Sequence, residues 1–166
     1  MEQRVSSPSP ALWEGSAAAL SPTLRRLGGR FVRKWDGAWS ALHSDSSDRF
    51  SQTAGSAREL IIQLLAHLAP DWVFTKEEIA WHGDNGKVTR RMRIRRILTG
   101  TQSGKAEEWV EKIADILCAM HDFFVAEYHD RGETIRFSEA DLASALMSTG
   151  AMLEFLIGRY SGRETS

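Results

Sequence analysis

The chain has 166 residues, of which 21 are Lys or Arg and 22 Asp or Glu, giving a formal net charge of −1, and 42% are apolar. That length suits one compact core, and the apolar share is too high for a disordered chain. Near-neutrality excludes a global electrostatic pull toward nucleic acid or an anionic membrane, and the single cysteine, Cys118, excludes an internal disulfide and a multi-cysteine zinc site.

Residues 1–10 (MEQRVSSPSP) are polar and proline-containing, so residues 1–20 are expected to be a flexible N-terminal segment. No basic start is followed by an apolar run, and one cysteine fits a reducing compartment, so a cytoplasmic protein with no membrane contact is expected. The first helix is predicted to start at Ser21-Pro22, a capping hydroxyl followed by the residue whose fixed φ suits a first turn. Leu24, Leu27, Phe31, Val32, Trp35, Trp39 and Leu42 then recur on one stripe, with Gly28-Gly29 as a weak point. After the polar break HSDSSD (43–48), a second helix carries Ala57, Leu60, Ile61, Leu64, Leu65 and Leu68 on one face and ends at Pro70.

Residues 71–104 are ambiguous. The Asn85-Gly86 turn signal and the alternation of Val88, Met92 and Ile94 with arginines permit a short β-hairpin near 77–94, while the composition is equally compatible with helix. A third long helix is predicted over 106–129, with Trp109, Ile113, Ile116, Leu117, Met120, Phe124 and Tyr128 facing inward. A fourth starts at Ser138 and Asp141, spaced as a capping box. The expectation is an all-α, single-domain bundle of four to five long helices over 21–161, followed by a C-terminal tail, 162–166.

Two His-Asp pairs, His121-Asp122 and His129-Asp130, are spaced eight apart. A metal-dependent phosphohydrolase would need a further histidine and aspartate, for which only His67 and Asp141 offer themselves, so no metal or cofactor is expected. Lys87, Arg90, Arg91, Arg93, Arg95 and Arg96 put six cations within ten residues, enough to neutralise several phosphates of RNA or DNA. Their rival partners are carboxylates at Glu77, Glu78, Glu107, Glu108 and Glu111. Six tryptophans are many for this length; core packing is the plain explanation, and stacking platforms for bases the alternative. Cys118, inside an apolar helix, reads as a buried, inert thiol.

Several stretches, taken in order, carry a family resemblance: KWDGAWSAL (34–42), DRFSQTAGSARELI (48–61), LAPD (68–71), TRRMRIRRIL (89–98), and the segment from HDFFVAEYHDRG to FSEADL (121–142). Over roughly residues 25–160 the chain resembles the predicted pPIWI-associating nucleases, small helical proteins of prokaryotic defence loci with a HEPN-like character. The resemblance implies a homodimer or a complex with a larger defence effector, and cleavage of nucleic acid without metal. It places the catalytic histidine at His129, with an asparagine shortly before it. This chain departs there, because Val125 stands four positions earlier, Asp130 replaces a glycine, and Asn85 is the sole asparagine. The resulting expectation is a helical module of an antiviral defence or genetic-conflict system with a degenerate nuclease motif, acting through protein contacts and through nucleic acid at residues 87–96. The alternatives are an active nuclease using His129 with Arg131 or Arg136, and an antitoxin or adaptor for a larger effector.

Overall fold

The computed structural model describes residues 10–100, 108–128 and 138–164. They form α1 (Pro10–Leu27), α2 (Gly29–Leu42), α3 (Arg49–Leu68), a 3-10 turn at Asp71–Val73, α4 (Lys76–His82), α5 (Arg90–Thr99), α6 (Glu108–Tyr128) and α7 (Glu139–Glu164). The all-helical class holds, with seven α-helices among the described residues rather than four or five.

The first helix is not the one expected. It begins at Pro10 and carries Pro22 in its interior, and the predicted continuous stripe from Leu24 to Leu42 is split at Gly28. Gly28 adopts φ 155°, a conformation glycine reaches without the clash a Cβ would bring, so the chain turns between α1 and α2 instead of merely loosening. Leu20 and Leu24 of α1 are buried, as are Phe31, Val32, Trp35, Ala38, Trp39 and Leu42 of α2.

Helix α3 is central, packing against α2, α5, α6 and α7. It buries Leu60, Ile61, Leu64 and Leu65, adjacent stripes that reach neighbours on more than one side, each contributing about 2 kcal/mol relative to exposure. Thr53, also buried, donates to the Arg49 carbonyl at 2.7 Å, a local bond that satisfies its hydroxyl inside the core.

No strand forms among the described residues. The hairpin signal at Asn85-Gly86 yields only one bridge, Asp84 with Lys87, around a turn in which Asn85 (φ 49°) and Gly86 (φ 71°) are both left-handed. Beyond it the helical alternative wins. Thr89 accepts a hydrogen bond from the Met92 amide at 3.2 Å as an N-cap, and Gly100 closes the helix in a left-handed conformation. Met92, Ile94, Ile97 and Leu98 are all buried, because α5 is wedged among α3, α6 and α7 and has no single inward face.

The predicted inward stripe of α6 is rotated. Val110, Ala114, Leu117, His121 and Phe124 face the core, whereas Trp109 (39% exposed) and Ile116 (42%) stand at the surface; the side chain of Tyr128 lies outside the described residues. Helix α7 starts with the predicted box: the Asp141 amide donates to the Ser138 hydroxyl at 3.2 Å, and the Ser138 amide donates to the Asp141 carboxylate at 2.7 Å. By length and composition α7 is apolar enough to cross a membrane, although 44% of its apolar window is buried in the bundle.

Candidate functional site

The basic run lies on α5 and the turn before it, and the arginines are distributed at helical spacing. Arg91 and Arg95 point to α6, where Glu111 receives the Arg91 guanidinium at 3.0 Å and Arg95 Nε at 2.6 Å; Asp115 takes the second Arg91 nitrogen. One turn away, Arg93 reaches Asp71 and the Ala69 carbonyl, and Arg96 reaches Glu78 at 2.6 Å while lying over the Phe74 ring. Arg90 meets Asp122 at 3.1 Å. The acidic side of this ladder is a single face of α6, since Glu111, Asp115, Cys118 and Asp122 are spaced four, three and four apart. Of the carboxylates singled out in the sequence, Glu78 and Glu111 pair with the run and Glu77 and Glu108 are exposed. Glu107 lies outside the described residues. Asp71, Asp115 and Asp122 come from elements too distant in sequence for any local pattern to assign.

These pairs are not equal. Arg96–Glu78 (side chains 21% and 22% exposed) and Arg95–Glu111 sit in partial burial, and the Arg95 hydrogen bond, with Arg91 behind it, holds the Glu111 carboxyl below its ordinary range. Arg90–Asp122 is the loosest, with side chains 40% and 65% exposed, where an ion pair contributes little. Helix α5 has no acidic residue in its first turn, so its initial arginines oppose the helix dipole and depend on carboxylates from neighbouring elements.

Lys87, Arg90, His82, Thr89 and Cys118 line an open cleft of about 560 Å3 between the Asn85-Gly86 turn, the start of α5 and α6. The backbone between His82 and Asp84, two of its lining residues, is closely packed, since a Cβ at Gly83 would collide with the Ile79 carbonyl and lie 2.6 Å from that of Lys87. Lys87 is exposed and makes no ion pair among the described residues. Trp81, next to His82, is 84% exposed, so the aromatic surplus is only partly core: Trp35 and Trp39 are buried edge to face, while Trp72 and Trp81 are bare. Cys118 is half-buried at the cleft, less enclosed than expected.

His121 is buried, its Nδ1 3.0 Å from the Asp122 carboxylate. Burial, reinforced by Arg90 and Arg58, pushes its pKa below 6.5 despite the carboxylate, which keeps the imidazole neutral. His67 packs on Phe31 and Asp141 caps α7, so neither joins His121. His129, Arg131 and Arg136 lie outside the described residues; Val125, one turn before His129, is a half-buried apolar side chain.

A sequence model of the predicted pPIWI-associating nucleases matches residues 24–156, from the last turn of α1 through most of α7. The chain belongs to that family. No curated protein and no solved structure matches it. The matched span of this pPIWI-associating nuclease family member takes in the whole arginine ladder, the cleft and both bare tryptophans.

Proposed function

We propose that the chain is a HEPN-like helical module of a prokaryotic antiviral defence or genetic-conflict system, working in the cytoplasm beside a larger PIWI-like effector, and that it holds single-stranded nucleic acid in the cleft without cutting it. The family description supports an association with a PIWI-like partner. The observation that carries the nucleic-acid reading is the meeting of Lys87 and Arg90 at one cleft, with the bare Trp81 next in sequence to the cleft residue His82. A phosphate there gains charge-assisted hydrogen bonds from Lys87 and from Arg90, which gives up its loose contact to Asp122, and a base stacks on the indole. Arg91, which also lines the cleft, is held by Glu111 and Asp115, and Arg93, Arg95 and Arg96 are likewise engaged by carboxylates, so they brace α5 and leave the phosphate to Lys87 and Arg90. No base identity is read by this arrangement, since phosphate contacts position a strand and stacking tolerates every base.

Catalytic silence follows from residue types. Metal-free cleavage needs a polar group beside the histidine to steady charge at the phosphate. Val125 supplies none before His129, and Glu127 and Asp130 would repel the strand. Labelled RNA and DNA incubated with the protein, with and without divalent metal, should be retained on a filter and recovered intact. Cleavage that disappears in His129→Ala would instead establish the enzyme, and intact but unretained strands would remove the cleft from the account.

A further inference from the structure

A second concentration of positive charge lies far in sequence from α5, around the junction of α1 and α2. Between Glu14 and Asp36 the chain carries Arg25, Arg26, Arg30, Arg33 and Lys34 and no carboxylate. The α5 arginines each meet an acid. The five cations at the α1–α2 junction make no ion pair among the described residues, and all but the half-buried Lys34 are exposed. Arg30, Arg33 and Lys34 share one face of α2, at three- and four-residue separations from Arg30, where like charges repel. Asp36, the next acid along the chain, accepts from the Ser21 hydroxyl at 3.1 Å instead. A row of cations that the fold leaves without carboxylates is relieved by an anion from outside.

Arg30 also lines an open pocket of about 480 Å3 where α2 begins and α3 ends, together with Gln63, His67 and Trp72, and with Ala66 and Pro70 completing it. The buried Phe31 ring steadies two of these groups at once, since Arg30 Cζ lies 4.7 Å from its centre and the His67 ring 5.1 Å. Gln63 donates its amide nitrogen to Glu59 at 3.1 Å; a carboxylate only accepts, so the amide oxygen is left to accept from elsewhere. Glu59 and Asp71, the acids nearest in sequence to Gln63 and Trp72, are engaged by Arg58 and Arg93. Trp72 is 83% exposed on the 3-10 turn, while the following Val73 and Phe74 pack on the core. The indole therefore contributes little to the fold and stands ready for a ring from solution.

We infer that this pocket binds a nucleotide, its phosphate on Arg30 and its base against Trp72. A bare phosphate would leave the indole in water, and an uncharged ring would leave the guanidinium without its anion; a ligand that joins the two uses both. Gln63 and His67 then meet a ring edge that can form hydrogen bonds, which a nucleobase has and a phenyl ring lacks. The volume suits one such unit, within the range of small-molecule pockets. A free nucleotide and one unit of a strand present the same chemistry. None of these residues lines the cleft beside α5, so this site stands or falls independently of the strand-binding reading.

Calorimetric titration of the full chain with adenosine monophosphate, adenosine, phenyl phosphate and inorganic phosphate tests the assignment. The nucleotide should bind most tightly. Arg30→Gln should weaken nucleotide binding roughly tenfold and leave adenosine unchanged, and Trp72→Ala should weaken nucleotide and adenosine by a similar factor and leave phosphate unchanged. Both positions are exposed, so circular dichroism should show folded protein in each variant. A short oligoadenylate titrated in the Lys87→Gln, Arg90→Gln background, which takes the cleft out of the measurement, separates the two sources. Tighter binding than the mononucleotide makes the ligand a unit of a strand, and equal or weaker binding makes it a free nucleotide. Phenyl phosphate or inorganic phosphate binding as tightly as the nucleotide overturns the inference. So does nucleotide binding indifferent to both substitutions, or a surface that takes polyglutamate and no nucleotide.

Discussion

Gly150→Leu is expected to leave the protein unfolded, and Gly150→Ala to lower its stability by about 1–2 kcal/mol. The Cβ of alanine would stand 2.8 Å from Trp35 Cη2 and 3.2 Å from Cζ2. Trp35 cannot retreat, being fully buried and held edge-on to Trp39 at 5.8 Å. Forcing α7 away from α2 costs about 1–3 kcal/mol for one methyl group, of which the better helix propensity of alanine returns up to about 1. Leucine adds three more carbons at the same point, a change that can consume most of the roughly 5–15 kcal/mol available to a domain. Urea denaturation followed by circular dichroism checks both variants. Trp35→Phe should recover part of the loss in the Gly150→Ala background, because the two changes act on one contact and are therefore not additive.

Glu111→Leu is expected to cost about 1–3 kcal/mol and to loosen α5 from α6. The carboxylate serves two guanidinium groups at once, Arg91 at 3.0 Å and Arg95 at 2.6 Å, so its loss strands the Arg95 charge in a partly buried seam and leaves Arg91 to Asp115 alone. The pH dependence has a defined sign. Because the folded-state pKa of Glu111 is depressed from 4.5, its stabilisation is present above that value and is lost as the pH falls through the lower folded value. Glu111→Gln should flatten the acid limb of a thermal melting profile; an unchanged acid limb would mean that the ladder does not hold the two helices together.

The helical class, the buried stripes of α2 and α3 and the capping box at Ser138 were legible because each is local: 3.6-residue periodicity and short-range cap chemistry report themselves in a single stretch. What was not legible depended on neighbours. Trp109 and Ile116 look like core residues until α7 is seen to cover the adjacent side of α6. The alternation around Met92 and Ile94 leaves hairpin and helix open because α5 is buried on more than one side, which erases the amphipathic signature. The cleft shows the same division. Lys87 and Arg90 were recognisable as cations, but His82, Thr89 and Cys118 join them only through the turn at Asn85-Gly86 and the packing of α6. Trp81 declared its type without its exposure. Asp115 carried no expectation and Asp122 was read only beside His121, because their arginine partners lie on another helix, beyond the reach of any local pattern.

The central claim, that Lys87 and Arg90 form a phosphate site distinct from the structural arginines, is tested most directly by salt titration of binding to a labelled single-stranded oligonucleotide. Lys87→Gln and Arg90→Gln should each weaken binding and reduce the slope of log affinity against log salt by about 0.7 for each phosphate no longer neutralised, leaving the melting temperature nearly unchanged. A slope that survives both substitutions would contradict the account and move the nucleic acid elsewhere on the molecule.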